Sequence, residues 1–245
     1  MDAATLFVAI LAAGKSTRMG GRPKLCLPWA SSNFQRETLG EESPATILSH
    51  LITEWRRLGA ARILVVLGQG NHDPVLAELD SLAARAKSQG RHEELFHGVN
   101  ATATLYPERD MMGSVQTAAA HIAREMAEGA FAKSVRATHL VIALGDQPHL
   151  QSLTLHRMVD ATRDPAHAHA ILRPRRNGRG GHPMAIPRHL VPELAATELP
   201  TLKHFLQLHV ADMVDIPCED PGLVLDIDTP EDYEQARNLV SATNS

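Results

Sequence analysis

The sequence predicts an α/β fold with a mostly parallel sheet. Three observations lead there: short apolar runs bounded by turn residues, stretches of helical period between them, and 245 residues at 44% hydrophobic, enough to bury a sizeable core. Strand, helix, strand, helix requires crossover connections, and crossovers make neighbouring strands parallel.

The apolar runs Leu6 to Leu11, Ile63 to Leu67 and His139 to Leu144 read as strands buried on both faces. Apolar residues three or four apart predict helices over Ala45 to Leu58, Pro74 to Ala86, Gly113 to Met126 and Gln151 to Thr162. After residue 165, "AILRPRRNGRGGHPMAIP" sets two short extended runs around Asn177-Gly178, the turn chemistry of a small β-hairpin excursion. Short helices near Val191 and Leu202, a strand over "LVLDID" and a last helix from Pro230 complete the chain. Two polar stretches without period, 30 to 43 and 86 to 98, are expected to be surface loops. The expected organisation is a single domain over 1 to 245.

Composition narrows the function. A net charge of −4 and 4% aromatic residues offer neither a field for a phosphate backbone nor platforms for bases, so no nucleic-acid partner is expected. Cys26 and Cys218 lie far apart without ligand spacing, which fits a reduced cytoplasm and buried small residues. The run "TLFVAILAAG" follows "MDAA", which has an acid and no base, and is too short for a bilayer, so it reads as a buried strand with no membrane partner. Fourteen histidines invite a metal reading, and His167 and His169 would share a strand face. There is no HExxH and no acidic or cysteine set beside them, so a histidine metal site is not expected.

The segment "LAAGKSTRMGGRPK" contains GKST, the end of a P-loop. That motif needs a glycine five residues before Gly14, where Ala9 stands, and the Rossmann spacing G-x-G-x-x-G also fails. What remains is a loop after a strand with Lys15, Arg18, Arg22 and Lys24, three glycines, Ser16 and Thr17. Backbone N–H groups and cations in such a loop suit a polyphosphate, and a solvated basic turn has the same composition.

Candidate acids lie after strands. Asp146 in "LVIALGDQPHL" follows a buried run, where open α/β sheets bind ligands, although turn and cap aspartates occupy such places too. Asp226 and Asp228, two apart, would point to one face of a strand, with Glu231 and Asp232 compensating the dipole of the helix that follows. Gly113-Ser114 opens a helix, as an anion site or as an ordinary cap. Arg173, Arg175, Arg176 and Arg179 cluster near Gly181 and His182, as a solvated hairpin tip or an anion site.

Taken together, "LAAGKSTRMGGRPK", "GDQP" and "DIDTPED" resemble the three signatures of the MobA/MocA-like NTP transferase family, nucleotidyltransferases of the molybdopterin guanylyl/cytidylyltransferase type. The likeness runs from Leu6 to about Ala236 and implies a Rossmann-like three-layer domain, its NTP-binding half at about 5–150 and its acceptor half at about 151–240. It implies nucleotide contacts at Leu11, Ala12, Ala13, Gly14, Ser16, Lys24, Gly68, Ser114 and Asp146, with Arg18 and Lys24 as the catalytic cations. Asp146 with Asp228, and Asp226 close behind, would hold Mg²⁺, a hard ion suited to carboxylates and phosphates. Gly181 and His182 of the GHP element would face the acceptor. In this family LAAG accompanies CTP and LAGG accompanies GTP, so Ala13 points to CTP.

The implied activity is transfer of a nucleotidyl group from an NTP to a phosphorylated small-molecule acceptor, molybdopterin first among them, with release of pyrophosphate. A molybdoenzyme or its chaperone is the protein partner this implies. A sugar-phosphate or other small-metabolite nucleotidyltransferase of the same fold stays open, as does a non-catalytic nucleotide-binding regulator. The insertion at 30 to 43 departs from the short continuation usual after "LPW".

Overall fold

The computed structural model describes residues 6–14, 17–29, 45–68, 70–127 and 137–243. The insertion at 30 to 43 and residues Lys15 and Ser16 lie outside them. Strand β1 (Leu6–Ala12) pairs in parallel with β2 (Ala60–Leu67) on one side and β4 (His139–Leu144) on the other, and β3 (Val99–Ala103) extends the sheet from β2. Beyond β4 come β7 (Met184–Pro187), β5 (Ile171–Arg176) and β6 (Arg179–Gly180), while β8 (Met213–Pro217) pairs with β5. Four of the seven pairings are parallel; β4/β7, β5/β7 and β5/β6 are antiparallel.

Alternation along β1 shows why the strand is apolar throughout. Leu6, Val8 and Ile10 join one buried cluster, and Phe7, Ala9 and Leu11 join another on the opposite face. The first cluster is covered by α1 (Ile47–Arg57), α2 (His72–Ser88) and α5 (Ser152–Arg163), through side chains such as Trp55, Leu82 and Met158. The second lies under α4 (Asp110–Ala127), α6 (Val191–Ala196) and α7 (Leu202–Leu208), through Val115, Leu194 and Phe205. Each fully buried Leu, Ile or Phe contributes about 2 kcal/mol, so the two faces together fix the three layers. No helix of the described residues is long and apolar enough to cross a membrane.

The three expected strands, the four expected helices and the hairpin all form. Asn177 (φ 48°) and Gly178 (φ 79°) take the left-handed angles that a two-residue hairpin turn needs. Four expectations do not hold. Residues 86–98 carry the end of α2 and a short helix α3 (His92–Phe96), because Ala86, Leu95 and Phe96 are buried where a solvated loop would expose them. "LVLDID" forms no strand: Asp220 accepts from Gly222 N–H (2.8 Å) and turns Pro221–Val224 into a 3₁₀ helix that leaves Val224 exposed. The edge strand is instead β8, where Asp215 meets Arg173 and Arg175, two apart on one face of β5. His167 and His169 share no strand either, since His167 ends the 3₁₀ turn Pro165–His167. Cys218 is buried as expected, but Cys26 is only partly so.

The last helix, α8 (Pro230–Thr243), starts with a capping box rather than simple dipole compensation. Asp232 Oδ2 accepts from Thr229 N–H (2.8 Å) while Thr229 Oγ1 accepts from Asp232 N–H (3.2 Å). This box fixes the chain direction immediately after Asp228.

His139, 2% exposed at the start of β4, donates from Nε2 to Ala170 O (3.0 Å) and sits 2.8 Å from Thr138 Oγ1 through Nδ1. Burial holds its pKa down from 6.5 to about 4. Below pH 6.5 the unfolded chain takes up a proton that the folded chain refuses, so stability falls as the pH drops from 7 toward 4, by about 3 kcal/mol for this one group. Urea unfolding across that range is expected to show the fall, and His139→Gln is expected to flatten it by that amount. An unchanged slope in the variant would show that the imidazole does not carry it.

Candidate functional site

The chain runs β1, β2, β3 outward, then returns to lay β4 on the other side of β1. Connections therefore diverge from the carboxyl ends of β1 and β4, and open α/β sheets bind ligands in the crevice this leaves. The loop after β1 and the turn after β4 meet there: Gly145 N–H donates to Leu11 O at 2.8 Å, and a Cβ on Gly145 would stand 3.1 Å from that oxygen.

The cation loop is shaped by two glycines. Gly20 (φ 65°) and Gly21 (φ 76°) reverse it, and buried Met19 and Leu25 anchor it on either side. Lys24 is carried back over the end of β4, where its Nζ lies 2.7 Å from Asp228 Oδ1 and 3.7 Å from Asp146 Oδ2. Arg18 Nη1 is 3.2 Å from Asp228 Oδ2. Each oxygen of Asp228 thus takes one cation. The arginine side chain is 72% exposed and its pair is worth little, whereas Lys24, 13% exposed, is shielded from solvent competition.

Burial pushes the Asp146 carboxyl up to about 6, against the pull of Lys24; Asp226 and Asp228 push the same way as burial. Three acids against two cations, Lys24 and Arg18, leave the described side chains of the site short of positive charge. Asp226 and Asp228 do not share a face as the sequence suggests, because the strand they were assigned to is absent. Asp228 turns to the cations, and Asp226 Oδ1 accepts from Gln147 Nε2 (2.9 Å).

The two acidic segments are laced together. Ile227 N–H donates to Asp146 O (3.1 Å), His149 Nε2 to Gly222 O (3.2 Å) and Gln151 N–H to Asp220 Oδ2 (2.7 Å). His50 Nε2 holds the same turn from α1, donating to Pro148 O (3.0 Å). Gln147, His149 and Asp220 were not singled out from the sequence, although "GDQPHL" contains two of them. Asn71 was also missed: its Nδ2 donates to Ala12 O (2.5 Å) and its Oδ1 accepts from Gly68 N–H (3.0 Å). Gly68 is needed there, since a Cβ would lie 2.4 Å from Ala13 O.

A cleft of about 590 Å³ opens beside these groups. Leu11, Ala13, Gly14, Gly68, Ser114, Asp146 and Asp226 all line it, and Ala12 and Lys24 line a small adjoining hollow of about 40 Å³. Thr104, Pro107, Asp110 and Met111, which the sequence did not single out, form its far wall. Ser114 is 2% exposed and its Oγ has no hydrogen-bond partner among the described residues, which leaves a buried hydroxyl unsatisfied in the cleft wall. A hollow of about 670 Å³ beside Glu231 and Glu234 is an open furrow on α8 and contains none of these acids.

Ser16 falls outside the described residues. Gly181 and His182 line neither hollow. His182 Nδ1 donates inward to Ile142 O (3.2 Å), with burial lowering its pKa, and Gly181 backs onto Leu223. Arg173 and Arg175 are engaged by Asp215, whose carboxyl they hold below the usual range. Among the described residues no group of three or more His, Cys, Asp and Glu side chains is arranged to hold a metal ion. The donors at hand are hard carboxylate oxygens, and Mg²⁺ is commonly bound by one or two carboxylates together with substrate phosphates, so the acids fit that ion in company with a substrate.

The fold is shared with Rv0371c of Mycobacterium tuberculosis H37Rv, at 26% identity over 97% of this chain and 100% of that one, with a TM-score of 0.59. A second structure of that protein, described as a complex with manganese, matches at 24% identity over 96% and 98% with a TM-score of 0.56. A cytidylyltransferase from Leptospira borgpetersenii matches at 19% identity over 97% and 87%, with a TM-score of 0.59. No curated protein matches the chain. The MobA-like NTP transferase domain matches residues 8–213, which run from the third residue of β1 to the first residue of β8 and carry both the cation loop and Asp146. The chain therefore belongs to the MobA-like NTP transferase family of nucleotidyltransferases.

Proposed function

We propose that the protein transfers a nucleotidyl group, CMP in preference to GMP, from an NTP to the phosphate of a small acceptor, molybdopterin, and releases pyrophosphate. The observation that carries this reading is the convergence of Lys24, Arg18 and Asp228 beside Asp146, which lines the cleft together with Ser114. Ala13 within LAAG supports the choice of CTP.

In this reading the triphosphate enters the cation loop with Lys24 and Arg18 against its oxygens. Asp228 gives them up as the phosphates arrive, so the loop exchanges one anion for another. An acceptor phosphate oxygen attacks the α-phosphorus in line as the bond to the bridging oxygen breaks, and pyrophosphate carries away the electron pair. Lys24 offsets the charge that grows on the α-phosphate, and no protein nucleophile is needed. Asp146, with Asp228 or Asp226, would hold Mg²⁺, which when bound neutralises phosphate charge and lowers the repulsion between acceptor and donor. Positioning carries most of the remaining acceleration: the laced acidic segments and the Asn71 bridge fix the frame before substrate arrives.

Incubation with Mg²⁺, a molybdopterin-type acceptor and each of CTP, GTP, ATP and UTP is expected to release pyrophosphate fastest with CTP. Tight NTP binding without turnover on any acceptor would remove the catalytic reading. Asp146→Asn is expected to keep the fold, seen in an unchanged far-UV spectrum, and to lower turnover by at least about 100-fold; full activity would refute the metal assignment. In Gly68→Ala the new methyl must displace the Ala13 carbonyl, and the NTP KM is expected to rise about tenfold with circular dichroism unchanged. An unaltered KM would place Ala13 away from the nucleotide.

A further inference from the structure

Among the described residues Asp110 and Asn177 are the two non-glycine residues at positive φ. Asn177 belongs to a hairpin turn, where asparagine is at home. Asp110, at φ 46° and ψ −132°, opens the long helix α4, in a backbone region that favours glycine. Such strain persists only where the surroundings enforce it, and it concentrates at ligand sites.

The surroundings here do enforce it. The Arg109 guanidinium donates to Gln116 Oε1 and to the carbonyls of Thr197 (3.3 Å) and Leu199 (2.5 Å). Leu105 N–H donates to Thr117 Oγ1 (2.9 Å). Gly113 lies so close beneath the turn that a Cβ would fall 2.0 Å from Tyr106 O. With residues 105 to 113 pinned at both ends, Asp110 absorbs the misfit.

The same aspartate lines the cleft one helical turn before Ser114, whose buried Oγ has no partner among the described residues. An ionised carboxylate can only accept hydrogen bonds, and no described side chain donates to this one. Thr104, Pro107 and Met111 wall the cleft beside it, below the ends of β2 and β3, while Asp146 and Asp226 lie at the β4 end. One cleft thus joins Asp146, beside Lys24, to Asp110 and Ser114, and a ligand held by its phosphates at Lys24 has this wall open to the rest of it.

Resting on the nucleotidyltransferase reading above, we infer that Asp110 is a specificity-determining residue. Its carboxylate accepts a hydrogen bond from a donor of the nucleoside, an exocyclic amino group of the base or a ribose hydroxyl, with the Ser114 hydroxyl completing the contact. The strained backbone holds the carboxylate over the cleft.

Calorimetric titration with Mg²⁺ present separates the sources: CTP against UTP and GTP against ITP remove the amino group, the 2′- and 3′-deoxy forms of CTP remove a hydroxyl, and tripolyphosphate removes the nucleoside. The wild type is expected to prefer the donor-bearing member of at least one pair by about tenfold, the size of a hydrogen bond to a charged group. Asp110→Gly is expected to bring that ratio within about twofold, to bind tripolyphosphate as before, and to melt at or above the wild-type temperature because strain is relieved. A ratio that survives the substitution, a wild type that discriminates in no pair, or an equal loss of tripolyphosphate affinity would overturn the inference while the nucleotidyltransferase reading stands. A wild type that binds tripolyphosphate and nucleotides alike too weakly to measure would bring down both.

Discussion

The contact between Lys24 and Asp228 joins side chains 204 residues apart, and the active end of the sheet is organised around it. It requires β1 and β4 to be neighbours, so that the loop leaving one can reach over the turn leaving the other. It also requires the last turns of the chain to return across that edge, which Asp220 and the Thr229–Asp232 box bring about. The two cations and the acid hold one another in place, which fixes the described part of the loop, residues 17–24, despite its two glycines at positive φ.

Much of this was legible in the sequence, and for identifiable reasons. β1 is apolar throughout and β4 from Leu140 onward because both faces are covered, and such runs stand out in any reading. Asn177-Gly178 announced the hairpin because few other pairs accept two left-handed residues. Gly14, Arg18 and Lys24 stood out by spacing, and the structure gathers Lys24 and Arg18 with Asp228. "VNATA" and "MVDIP" were missed, since β3 and β8 are only partly buried and their residues lack a strong apolar period. "LVLDID" misled because its alternation is real, but Gly222 and the Asp220 side chain divert the backbone first. The side chains that hold the frame, Asn71, Gln147 and His149, bond to partners remote in the chain, and no local pattern reveals such a bond.

The site divides its charges unevenly between rigid and exposed groups. Asp146 and Lys24 are largely enclosed and fixed, whereas Arg18 reaches from solvent and Asp226 faces the open cleft. Lys24 is enclosed beside a carboxyl that burial pushes up to about 6, so its charge acts through a lower dielectric than that of the exposed Arg18. Strain is spent at the opposite end of the cleft, at Asp110, where the backbone tolerates an aspartate that local energetics disfavour.

The lacing of residues 146–151 to 220–228 has a mechanical meaning. Bonds from Gln147, His149 and Gln151, with Asp146 O accepting from Ile227, make two separate loops behave as one stiff plate carrying all three acids. The spacing of the negative charges is thereby inherited from the sheet and from the bonds between the two segments, independently of the cation loop that faces them.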